Sequence, residues 1–158
     1  MDLIDFLFPI TSTAHTLAAV IWVGGMFFAH TALRPSLMEE DGPTRLRVWS
    51  HVLPRFFTWV WLSVIILPLS GYVMVFVDFG GFEAAGYHVT LMHGLGWVMV
   101  ILYVYLFVRP FSLFKAAVQA EDWPNGATHL AIIRRIVTTN LILGLVVIGI
   151  GVSGRFWG

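Results

Sequence analysis

The sequence predicts an all-α protein, a bundle of four transmembrane helices with both termini outward. Three observations carry that prediction. Of the 158 residues, 58% are hydrophobic and only 11% are charged. All eighteen Lys, Arg, Asp and Glu residues fall outside four uncharged tracts at 6–33, 56–77, 84–108 and 136–154. The cations are divided unequally between alternate connections. A soluble domain of this length needs a charged surface, so most of this one faces lipid. Each tract, of 28, 22, 25 and 19 residues, can cross the ~30 Å hydrocarbon layer at ~1.5 Å per helical residue. The length suits a single four-helix membrane domain over residues 1–158.

The first tract is too long for a signal peptide, and Asp2 and Asp5 precede it where a signal carries Lys or Arg, so it is read as a retained helix. The connection to the second tract holds Arg34, Arg45, Arg47 and Arg55, and that between the third and fourth holds Arg109, Lys115, Arg134 and Arg135. Arg155 alone remains for the opposite side. The positive-inside rule puts the two cationic connections in the cytoplasm, and the short connection Asp78 to Glu83 on the outer, periplasmic side of a bacterial inner membrane. Asp41-Gly42-Pro43 and Asp122-Trp123-Pro124 each place an N-cap beside a first-turn proline, so the second and fourth helices are expected to start well before their tracts. Pro68 is expected to kink the second helix, with Ser63 or Ser70 reconciling the freed backbone.

A tandem repeat of two-helix units is also visible. Trp22-Val23 stands twelve residues before Arg34-Pro35, and Trp97-Val98 twelve before Arg109-Pro110. His51 precedes Gly71 by twenty residues, and His129 precedes Gly149 by twenty. Parallel units of this kind would set the first and third helices across the bundle from each other.

The chain has no cysteine, which excludes disulfides, thiolate metal sites and iron–sulfur clusters. A net charge of zero without a basic run offers nucleic acid no footprint. Six histidines remain as the strong ligand candidates. His15, His88 and His93 lie nineteen, twenty-one and sixteen residues before an Arg-Pro pair, hence at similar depth on the outer side. His51 and His129 read as solvated surface histidines. A histidine in a membrane helix is costly unless paired or liganded. His15, Ala19, Trp22, Met26 and His30 share one face of the first helix. His88 and His93 are five residues apart, roughly 140° around the helix, so one of them faces the partner, and the repeat alignment favours His93 over His88.

Two histidines at matched depth on facing helices suit axial ligation of a haem b, with Trp22 and Trp97 as aromatic walls, Ala19, Gly94 and Gly96 making room, and Arg155 near the propionates. This predicts an inner-membrane protein for electron transfer or haem-linked redox chemistry, with His15 and His93, or His88, at the iron. The competing reading is copper, because Cu(I) favours thioethers and imidazoles and the chain offers Met26 with His30 and Met92 beside His93. The lipid bilayer, a periplasmic redox or copper-binding protein and a second copy of the chain are the partners these readings imply. A packing role within a larger membrane complex is the third. No carboxylate lies inside a tract, which disfavours a paired-carboxylate hydrolase or a carboxylate proton relay. Asn140 reads as interhelical glue.

The run His15-Thr-Leu-Ala-Ala-Val-Ile-Trp-Val-Gly-Gly-Met-Phe-Phe followed by Leu33-Arg34-Pro35 resembles the first helix of small CopD-type (copper resistance D domain) bacterial membrane proteins. Arg55-Phe56-Phe57 with Ser70-Gly71, Arg134-Arg135 through Asn140-Leu-Ile-Leu-Gly144, and Gly154-Arg155 extend the resemblance over nearly the whole chain. It implies a membrane bundle linked to copper uptake or resistance, working with a separate periplasmic copper-binding partner. A more distant similarity to HemJ-type proteins and small di-haem b cytochromes implies a haem. The lysine-containing motif associated with HemJ is absent, and the only lysine is Lys115.

Overall fold

The computed structural model describes residues 3–157, apart from the side chains of 3–5 and of Arg155. Four long helices dominate: α1 (Leu3–Phe28), α2 (Gly42–Val73), α3 (Tyr87–Leu106) and α4 (Trp123–Ser153). No strand occurs among the described residues. With the turns that continue them, four helical spans are long and apolar enough to cross a membrane: Phe6–Glu39, Gly42–Asp78, Tyr87–Gln119 and Trp123–Ser153. In hydrocarbon an unpaired backbone amide costs several kcal/mol, so a chain this apolar closes its hydrogen bonds within each helix.

The two N-caps form where the sequence puts them. The Thr44 N–H donates to Asp41 Oδ2 at 3.1 Å and the Asn125 N–H to Asp122 Oδ1 at 3.2 Å, with Pro43 and Pro124 in the first turns. The Asn125 side chain and then its backbone N–H hold the Asp122 carboxyl below the usual range, as Thr44 does for Asp41. Because the folded-state values are depressed, the caps are fully ionised above the ordinary carboxylate pKa, and their support is lost as pH falls through the lowered values.

Proline marks where the α geometry gives way. π-turns occupy Ala29–Leu33, just before Arg34-Pro35, and Phe107–Phe111, which contains Pro110. A proline ring clashes with the carbonyl four residues back and donates nothing, and a widened turn relieves both. In α2 the helix stays α through Pro54 and Pro68, and the departure comes later, as a π-turn at Met74–Asp78. Ser63 and Ser70 bond the Trp59 carbonyl and the Ile66 and Leu67 carbonyls respectively, so neither serves the Val64 carbonyl that Pro68 leaves without its helical donor. The connection between α2 and α3 turns through Gly80 and Gly81 at φ +78° and +115°, a region closed to most side chains.

α1, α2 and α4 pack on one another, and α3 leans on α4, so the first and third helices stand across the bundle as the repeat implies. Side chains bridge α3 to the rest. The Tyr103 hydroxyl donates to the Phe57 carbonyl at 3.0 Å, and its ring meets Trp22, Phe57 and Trp61 edge-on at centroid distances of 6.0, 5.7 and 5.2 Å. Asn140 Nδ2 donates to the Met99 carbonyl at 3.1 Å, tying α4 to α3. The packing is tight at Gly144, where a Cβ would stand 2.7 Å from Val23 and 3.2 Å from the Met99 methyl. Gly144→Ala should therefore destabilise the bundle by about 1–3 kcal/mol. Gly24→Ala, with nothing within 4 Å, should be neutral or slightly stabilising. Thermal melting of the two variants in detergent checks the contrast.

Candidate functional site

Because α3 stands off from α1 and α2, a cavity of about 470 Å³ opens in the half of the bundle that holds the Asp78 to Glu83 connection. Its volume is in the range of small-ligand sites. The walls are mostly apolar and, among the described residues, include no carboxylate and no cationic side chain. The polar groups that do reach it are His15, His88 and His93, the rings of Tyr72 and Trp97, and Thr16. Three thioethers, Met74, Met92 and Met99, line it too, with Trp22 and Ala19 from α1.

His15 is oriented by a chain of hydrogen bonds. Ser70 Oγ lies 2.6 Å from the Ile66 carbonyl and 3.3 Å from that of Leu67. Carbonyls only accept, so the single hydroxyl proton is committed to them. With that proton on a carbonyl, His15 Nδ1, 2.9 Å from the same Oγ, takes the donor role. In that arrangement the ring proton is on Nδ1 and the lone pair on Nε2 faces away from Ser70. An imidazole fixed through one nitrogen so that the other presents a lone pair is the arrangement metal-binding histidines use. Gly71 leaves space beside the ring, since a Cβ there would sit 3.5 Å from His15 Cε1.

His93 is held differently. Its Nε2 lies 2.8 Å from the Tyr72 hydroxyl and 3.1 Å from Trp97 Nε1, which can only donate, and Trp97 Nε1 is also 3.3 Å from Tyr72 Oη. Nε2 is thus an acceptor whose lone pair is already engaged. The Phe82 ring packs on it edge-to-face at 5.0 Å. His88 sits at the end of the bundle that holds the Asp78 to Glu83 connection, against Gly154 and near Trp157, with ring centroids 6.4 Å apart.

The structure separates the residues of the sequence-based copper set. Met92 lines the same cavity as His15 and packs on Gly151, whose Cβ would fall 3.3 Å from its sulfur. Met26 is buried in the core, 2% exposed. His30 lines a second cavity at the other end of the bundle and lies 3.4 Å from the Thr138 hydroxyl. The shared face of α1 is real, but the core divides it between two cavities. Of the haem set, His15, His93, His88, Trp22 and Trp97 all border the outer cavity. The side chain of Arg155 lies outside the described residues. His129 is half-buried with no partner for Nδ1, where a solvated residue was expected, while His51 is exposed. Sequence reasoning missed Ser70 as the orienting partner of His15, Tyr72 as that of His93, and the thioethers of Met74 and Met99. Ser70-Gly71 carried a usable signal, a serine and a space in one turn of a membrane helix. No group of three or more His, Asp or Glu placed to hold a metal occurs among the described residues.

Fold and cavity together define a multi-pass membrane protein with a buried, nearly uncharged cavity supplied with imidazoles and thioethers. The model of the family Copper resistance protein D (CopD) matches residues 50–153, and the chain belongs to that family. The match covers most of α2 and all of α3 and α4, whereas His15 on α1 lies before it. A protein of Aquifex aeolicus (strain VF5) described only as uncharacterized is 28% identical over 142 residues, 89% of this chain and 90% of that protein. No solved structure matches.

The tautomer of His15 is directly measurable. Imidazole ¹⁵N shifts should report a neutral ring protonated at Nδ1. Ser70→Ala, which removes the acceptor, should move population to the Nε2–H form. An Nε2–H ring in the wild type would contradict the hydrogen-bond assignment.

Proposed function

We propose that the outer cavity receives copper, as Cu(I), and that the protein is a membrane copper-handling component in which the ion is cargo. The observation that carries this reading is the convergence on one cavity of a histidine held through Nδ1 by Ser70, two further imidazoles and three thioethers, without a carboxylate. Thioether and imidazole donors suit Cu(I), whereas Mg²⁺, Ca²⁺ and Mn²⁺ prefer oxygen. A cavity wall without charges also favours a monovalent ion over a divalent one, because each charge moved out of water carries a large desolvation cost. Membership of the copper resistance family supports the same direction.

In this reading His15 is the anchoring ligand, fixed by Ser70, and Met92, Met74 and Met99 are the soft donors available to complete a coordination shell. His93 is the polar group that Tyr72 and Trp97 keep in place at the wall. Below the cavity, Trp22, Met26, Phe57 and Tyr103 form a buried plug, so an ion that entered would stop there unless the plug moved.

The haem b reading uses the same cavity and is the weaker of the two. Bis-imidazole ligation needs a free lone pair on the second ring, and Nε2 of His93, the histidine favoured for that role, is engaged by Tyr72 and Trp97. The orientation expected from the cation asymmetry puts the cavity on the periplasmic side, where a copper-binding or redox protein would deliver to it.

Competition with a chromophoric Cu(I) chelator should give one bound ion per chain. Ser70→Ala should weaken binding about 10- to 100-fold, His15→Ala at least as much, and Met92→Leu measurably, while Met26→Leu leaves it unchanged. A purified protein with the Soret and sharp reduced bands of a low-spin haem, lost in His15→Ala, would establish the haem reading and overturn this one.

Orientation is tested separately. A reporter active only in the periplasm should be active when fused after Phe79, and inactive when fused near Gly42. The reverse result would put the cavity on the cytoplasmic side.

A further inference from the structure

The second cavity, about 310 Å³, lies among α1, α2 and α4 at the end of the bundle where the arginines gather. Its inner wall is apolar apart from His30. The Phe56 ring lies so close to Gly25 that a Cβ there would collide with it. Phe28 and Trp59, which also line the cavity, are 60% and 56% exposed, so in a membrane this opening faces the acyl chains.

Three guanidiniums, Arg34, Arg55 and Arg134, border the same space. None has a carboxylate. The ion pair found among the described residues is Arg47–Glu121 at 3.2 Å, which involves none of the three. Arg55 donates to the neutral His51 carbonyl, which leaves its charge uncompensated. Arg34 and Arg45 stand near enough for their charges to act on Arg134. Gathering like charges at the rim of an apolar groove is unfavourable unless an anion joins them. Each guanidinium is a planar fork of five donors, a geometry matched to phosphate.

We propose that this groove is a binding site for an anionic phospholipid, with the phosphate held among Arg34, Arg55 and Arg134 and an acyl chain lying along the Phe28 and Phe56 wall. The occupant has to be both anion and hydrocarbon, because the cavity is cationic at its rim, apolar within and open to the lipid side. Basic pockets between helices at a membrane surface are recognised settings for such headgroups. The site is independent of the outer cavity and of its copper reading, from which the buried Trp22, Met26 and Tyr103 layer divides it.

The test uses the full chain, stripped of lipid in a neutral detergent and offered phosphatidylglycerol or phosphatidylcholine, with retention read by native mass spectrometry and stability by thermal melting. Phosphatidylglycerol should be retained preferentially and should raise the melting temperature. The double variant Arg34→Gln/Arg134→Gln should lose about tenfold or more of that affinity, while Arg47→Gln should keep it. Equal retention of the two lipids, or an unaltered preference in the double variant, would overturn the proposal. So would inorganic phosphate alone displacing the lipid at comparable concentration, since that would make the groove a site for a free anion. Should the double variant fail to fold, the single variant Arg55→Gln and the wild-type lipid ratio decide the matter.

Discussion

Two tyrosine hydroxyls tie the third helix to the second across the space in which the cavity lies. α3 leans on α4, while its backbone stays clear of α1 and α2. Tyr103 reaches across to the Phe57 carbonyl near mid-bundle, and Tyr72 reaches from α2 to His93 near the outer end. In a bilayer apolar side chains gain little by touching each other rather than lipid tails, so the specific links between helices are hydrogen bonds and close packing. The Tyr103 link also draws Trp22, Phe57, Trp61 and Phe107 into one aromatic layer, of which Trp22 forms part of the cavity floor. Above that floor the helices have no reason to close.

What fills the resulting space follows from how its few polar groups are satisfied. A buried imidazole with no partner is expensive, and the two best-defined histidines solve the problem in opposite ways. His15 spends Nδ1 on Ser70 and leaves a lone pair on Nε2. His93 spends Nε2 on Tyr72 and Trp97. The same pair of rings that looks symmetric in sequence is therefore asymmetric in the structure, one bonded to protein through Nδ1 and the other through Nε2. With thioethers from α2 and α3 on the same walls, the account favours a soft ion bound from one main histidine over a flat ring clamped between two.

The architecture was legible in the sequence because it rests on bulk properties. Uncharged tracts long enough to span, Asp-x-Pro caps at 41 and 122 and the Arg-Pro pairs are each local signals, and the four helices follow them. The outer histidines were legible too, since depth along a helix is set by counting at a fixed rise. The rest depended on azimuth and on neighbours that one sequence does not encode. Met26 and His30 share a face with His15, but whether a face opens on a cavity or on the core is decided by where α3 stands. The roles of Ser70 and Tyr72 depend on distances across helices, and the effect of Pro68 on the carbonyl next door depended on which carbonyls the serines chose. The arginines of 34, 55 and 134 were read as signals of topology, repeat and family, and their convergence on a groove required the packing of α1, α2 and α4.

The central claim is that sulfur and imidazole donors meet at one ion. X-ray absorption at the copper edge, on protein loaded with a single equivalent of Cu(I), tests it most directly. The account predicts a Cu(I) edge and a mixed shell with at least one imidazole nitrogen and at least one sulfur, the sulfur scattering reduced in Met92→Leu. A shell of nitrogen and oxygen alone, or one unaltered when His15 is replaced, would contradict it.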